Sequence, residues 1–131
     1  MKCKKSIINI GSTTPRRDLS YVTDTVNGFI KIAESKKSVG QVINIGLGED
    51  ISIGELTKMI LMIMGKEMEI VSSEKRKRPE KSEVMRLLCD NKKAEKIVKW
   101  KPKVSLKDGL NMTIEWMKNN PDCYNPDKYQ I

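Results

Sequence analysis

Residues 41–65 read QVINIGLGEDISIGELTKMILMIMG, and three kinds of local code follow one another in that stretch. Gln41 to Ile45 is a short run rich in β-branched aliphatics, the pattern of a buried strand. Gly46-Leu47-Gly48 then turns the chain, since glycine reaches backbone angles closed to other residues. Ser52 and Glu55 stand three apart, the spacing at which a hydroxyl and a carboxylate cap each other's backbone amides at a helix start. The apolar run behind them predicts a helix through Met64, stopped at Gly65. Strand, turn and helix in succession point to α/β architecture, with this helix as the centre of packing.

On the N-terminal side, Ile7 to Ile10 form a short apolar strand, followed by the turn cluster Gly-Ser-Thr-Thr-Pro and a basic corner of Arg16, Arg17 and Asp18. From Tyr21 the period lengthens. Val22, Val26, Phe29, Ile30 and Ala33 recur at the three-and-four spacing of one helix face, which should end near Ser35 to Lys37. On the C-terminal side, Met68 to Val71 reads as a strand, and Ser72 to Lys81 as a polar loop around Pro79 carrying Lys75, Arg76, Lys77 and Arg78. Met85 to Leu88 reads as a further strand. Asp90 is the expected cap of a short helix with Ala94, Ile97 and Val98 on one side. Ser105 and Asp108 open the last helix, with Leu106, Leu110, Ile114 and Met117 inward, and Asn119-Asn120-Pro121 closes it. Residues 121–131 are then an irregular tail. The expectation is about four short strands and four helices, in one partial domain over 1–131. An opening strand with almost no lead-in fits a piece cut from a longer protein.

The 131 residues carry a net charge of +8, and 32% of them are charged against a usual quarter or so. Such a balance favours an anionic partner: nucleic acid, a membrane surface or a phosphorylated small molecule. Cys3, Cys89 and Cys123 form no Cys-x-x-Cys pair and the chain has no histidine. Neither a disulfide framework nor a zinc site is therefore indicated. No run approaches the ~18 apolar residues of a membrane span, so a soluble, cytoplasmic protein without membrane contact is expected.

Four segments, in order, resemble the C-terminal half of the extended short-chain dehydrogenases: RRDLSYVTDTVNGFIKIAE, INIGLGEDISIGEL, the loop RKRPEKSEVMR, and CDNKKAEKIVKWKPKVSLKDGLNMTIEW. Together they cover about Pro15 to Trp116. The loop looks closest to bacterial nucleotide-sugar 4,6-dehydratases, with epimerases a little further off. The resemblance implies a Rossmann-type α/β fold lacking its dinucleotide-binding half, a nucleotide-diphosphate sugar as partner, and NAD as cofactor of the parent family but none in this chain. It also implies that Arg17 and Arg78 contact the substrate diphosphate and that Glu83 faces a ribose or base edge. Guanidinium suits that task, because its planar fork gives two parallel bonds to phosphate oxygens that lysine does not reproduce. Arg76 and Arg86 would add positive field without touching the ligand.

Two further patterns are weighed against the same resemblance. Gly46-Leu47-Gly48 begins like a dinucleotide fingerprint, but Ile51 stands where the third glycine belongs, which makes it a structural turn. Tyr124 and Lys128 have the Tyr-x-x-x-Lys spacing of the superfamily's catalytic pair, but Pro126 between them rules out the shared helix face that lysine needs to lower the tyrosine pKa. No catalytic residue is expected. Two other readings stay open. One is a small basic nucleic-acid-binding domain, less favoured because aromatics are only 5% and packing accounts for Trp100 and Trp116. The other is a homo-oligomer held through apolar surface that a missing half would leave bare.

Overall fold

The computed structural model describes residues 6–76 and 82–123, Lys75 by its backbone alone. Strand β1 (Ser6–Ile10) pairs in parallel with β4 (Met68–Ser72), running from Ser6 opposite Met68 to Ile10 opposite Ser72. A second sheet has β2 (Arg16–Arg17) at its centre, antiparallel to β3 (Ile51–Ser52) and parallel to β5 (Arg86–Leu87). Four helices accompany them: α1 (Val22–Glu34), α2 (Ile53–Ile63), α3 (Lys92–Val98) and α4 (Leu106–Asn119).

The local codes that act within a few residues are met as expected. Glu55 N–H donates to Ser52 Oγ, and Ser52 N–H returns a bond to the Glu55 carboxylate, closing the capping box of α2. The amides of Ile53 and Gly54 donate to the carbonyls of Pro15 and Thr13, so the turn after β1 satisfies the same helix start. Asp108 N–H donates to Ser105 Oγ at the start of α4. At α3 the cap position falls on Asn91, while the Asp90 carboxylate accepts from Lys92 N–H.

Longer-range expectations fare less well. Five strands form among the described residues, and Gln41–Ile45 is not one of them. That segment lays Ile43 and Ile45 against the core and leaves Val42 80% exposed, because no neighbouring strand runs beside it. The centre of packing is also not α2. It is Ala94, Val98 and Trp100, flanked by Ile32, Ile43, Ile45 and Ile97. Helix α1 buries Asp24 and Gly28 and turns its apolar stripe outward, with Val22, Val26, Phe29 and Ile30 between 49% and 63% exposed. Gly28 eases this close approach: a Cβ there would stand 3.0 Å from the Ile45 side chain, which would have to shift by a few tenths of an ångström. Trp100 is buried as expected, whereas Trp116 is 52% exposed and Met117 is not inward. Among the described residues no helix is long and apolar enough to cross a membrane.

Candidate functional site

A two-residue strand at the centre of a sheet decides the chemistry of the basic corner. Successive side chains leave a strand on opposite faces, so Arg16 and Arg17 part company. Arg16 turns to Asp50, donating from Nε to Oδ1 at 2.7 Å and from Nη2 to the Asp50 carbonyl at 3.1 Å, and reaches Glu55 at 3.2 Å. Arg86, paired with Arg16 across the β2–β5 ladder, donates to the other oxygen of the same carboxylate. The Asp50 side chain is only 6% exposed. Bonds from Arg16 first, then Arg86, hold its pKa below the usual aspartate range. Asp50 in turn raises the pKa of Arg16. The Ser52 hydroxyl and amide, ahead of Arg16, lower that of Glu55. Arg86 is thus tied into an ion-pair network rather than supplying free field.

Arg17 turns the other way. Its Nη1 donates to the carbonyls of Arg16 at 2.8 Å and Val84 at 2.6 Å, and its Nη2 to Glu83 Oε1 at 2.8 Å. Both side chains are less than one-fifth exposed. Two of the three residues picked from sequence, Arg17 and Glu83, are therefore in contact although 66 positions apart. The third, Arg78, lies outside the described residues, as do Tyr124 and Lys128. Arg76 sits at the end of a short 3-10 turn, Glu74–Arg76, that follows β4. Bonds among the described residues use three of the five N–H donors of Arg17. The guanidinium plane is fixed by two carbonyls and one carboxylate.

The residues sequence reasoning missed are carboxylates that organise loops. Asp18 accepts from the amides of Leu47 and Gly48, both at 2.8 Å, and from Cys89 N–H at 3.2 Å. Asn91 Nδ2 donates to the Gly46 carbonyl, and a Cβ on Gly48 would meet Asn91 at 3.0 Å. The amides that a pyrophosphate would need at Gly46-Leu47-Gly48 are thus already spent on a carboxylate, and the residues present do not fit a dinucleotide. Asp24 accepts from the amides of Lys103 at 2.8 Å and Val104 at 2.9 Å, while its carbonyl accepts from Trp100 Nε1. The Arg-Asp and Val-x-Asp pairs of residues 17–24 were the available signal for both. Burial first, then Asp18 and Asp90, push the Cys89 thiol pKa up, which lowers its thiolate fraction at neutral pH.

With this geometry, comparison with known proteins is specific. The family model for GDP-mannose 4,6 dehydratase matches residues 1–113. The UDP-glucuronate 4-epimerase of Thermodesulfobacterium geofontis is 32% identical over 123 residues, which is 89% of this chain and 35% of that one. The solved epimerase Mth375 of Methanothermobacter thermautotrophicus superposes with a TM-score of 0.80 at 26% identity, over 90% of this chain and 34% of its own. The UDP-glucuronic acid 4-epimerase of Bacillus cereus, solved with UDP-glucuronic acid and NAD, gives 0.76 at 32% identity, over 86% of this chain and 35% of its own. The chain belongs to the extended short-chain dehydrogenase family of nucleotide-sugar epimerases and dehydratases. It spans about a third of the length of these relatives.

Proposed function

We propose that this chain is the nucleotide-sugar-binding C-terminal portion of an NAD-dependent sugar-nucleotide 4,6-dehydratase or epimerase, and that it is not catalytic alone. The observation that carries this reading is the Arg17–Glu83 pair. A guanidinium less than one-fifth exposed is locked by Glu83 and Val84, five and six positions after Arg78 in the sequence. Arg17 and Arg78 would grip the diphosphate from two segments, with Glu83 orienting Arg17 and facing the ribose. The Bacillus cereus relative, solved with a UDP-sugar, supports the ligand class. The cofactor would be held by residues other than these, since Asp18 fills the Gly-x-Gly turn.

An NMR titration of the chain with UDP tests this. Millimolar binding is the expected order of magnitude, because loops without the rest of the pocket pay their own ordering cost. Arg78→Lys should weaken binding by roughly tenfold despite conserving charge, since the bidentate fork is lost. No UDP shifts near Arg17, together with oligonucleotide binding that Arg78→Lys leaves intact, would favour the nucleic-acid reading instead.

The bare stripe of α1 supports a second part of the proposal. Unless another body covers Val22, Val26, Phe29 and Ile30, copies of the chain should associate through them. A strictly monomeric species in sedimentation at high concentration would count against it.

A further inference from the structure

The second half of α1 and the segment after α3 enclose a depression of about 250 Å³, lined by Asn27, Lys31, Glu95, Lys99, Lys101 and Lys103. We infer that this depression is a second anion site, separate from the Arg17 corner, and that it takes a compact phosphate-bearing anion. Four lysines and a single carboxylate line it, and Glu95 is already paired with Lys101 at 2.7 Å. An excess of three positive charges around one hollow repels itself until an anion enters.

Surface lysines usually form nothing more than a solvated face, because their backbones and stems are free. Here the backbone is not free. Asp24 holds the amides of Lys103 and Val104, its carbonyl holds the Trp100 indole, and Trp100 is 1% exposed. Lys99 N–H and Trp100 N–H close the end of α3 on the carbonyls of Glu95 and Ala94. Three of the lysines therefore project from a clamped strap, and the fourth from a helix packed on the same clamp. A pre-set frame of this kind lowers the ordering cost of binding. Lys99 adds a second sign. It has φ +55°, the left-handed conformation in which a helix end normally carries glycine, and it is the one non-glycine residue with positive φ among those described. Backbone strain kept at a charged position is a reason to look for a ligand there. Lysines act as point charges with rotatable donors, which suits a phosphoryl group whose oxygens point several ways, and not the planar pairing of a carboxylate.

The inference is independent of nucleotide-sugar binding, and one experiment keeps the two apart. The full chain is titrated with pyrophosphate while backbone amides are followed by NMR, at about 0.05 M and about 0.15 M salt. Wild type, Lys31→Gln/Lys103→Gln and Arg17→Gln are compared, each checked for an unchanged melting temperature. Shifts should gather at Asn27, Lys31 and residues 99–103. At that hollow the double variant should bind roughly tenfold or more weakly, while Arg17→Gln should leave the shifts of Asn27, Lys31 and residues 99–103 in place whatever it removes at its own corner. Should the double variant melt early, Lys103→Gln alone carries the same comparison. Shifts that are absent at the lower salt, that spread equally to Lys58 and Lys118, or that persist in the lysine variants overturn the inference. So does oligonucleotide binding that pyrophosphate does not displace.

Discussion

Asp24 is a buried residue and Asp50 a half-buried one whose side chain is only 6% exposed, and the two carboxylates hold the molecule together in different ways. Asp24 bonds to neutral backbone amides of one continuous segment and lies beside the Trp100 core, so it fixes a chain path. Asp50 bonds to two guanidiniums from adjacent strands, so it fixes charges. The first arrangement leans on apolar burial and the pairing of backbone amides, which salt screens little. The second depends on ionisation and weakens with salt and with acid. The fold of this chain is thus anchored at the α1–α3 core and only tuned at the basic corner.

Trp100→Ala should break the comparison hardest, removing the largest buried side chain and its bond to Asp24 at a cost of about 3 to 5 kcal/mol. Chemical denaturation should then show the midpoint shifted far down, since that cost is a large share of total stabilities of about 5 to 15 kcal/mol. Asp24→Ala should come next, at about 2 to 3 kcal/mol, since the amides of Lys103 and Val104 lose their acceptor. A loss equal to that of an exposed substitution would mean the strap is held by something else.

Asp50→Asn should cost less and show a pH signature. The folded pKa of Asp50 lies below its ordinary 3.8, so its contribution is fully present above that value and disappears as pH falls through the depressed one. Melting curves of wild type and variant should differ at pH 7 and converge in strong acid. A constant gap across pH would show that shape, not charge, matters at the corner. Phe29→Ser should do least, within about 0.5 kcal/mol, because the ring is 63% exposed. A loss above about 2 kcal/mol would mean that the outer stripe of α1 is covered after all.

How much of this was legible in the residues depends on range. The starts of α2 and α4, the strands at Ser6–Ile10 and Met68–Ser72, and the burial of Trp100 follow from signals within a few positions. The period of α1 was readable too, but not its orientation. Val22, Val26, Phe29 and Ile30 announce an apolar face without saying whether this chain supplies the surface it packs on. The same holds for Gln41–Ile45, whose alternation is that of a strand but which finds no neighbour among the described residues. The partners of Asp24 and Asp50 could not be read locally, because they lie 79 and 34 positions away.

By itself the sequence determined the alternation of strands and helices, the caps of α2 and α4, the family and the pairing of Arg17 with the loop of Glu83 as candidates for one site. Those features depend on neighbours along the chain or on whole motifs. Only the tertiary structure decided that Arg16 and Arg17 diverge, that the Gly46-Leu47-Gly48 amides serve Asp18, that the core lies at α3, and that the lysines at 31, 99, 101 and 103 share one hollow. Strand alternation sets the first, and the other three arise where segments distant in sequence compete for the same amides and the same apolar surface. That competition is settled only when the whole chain has packed.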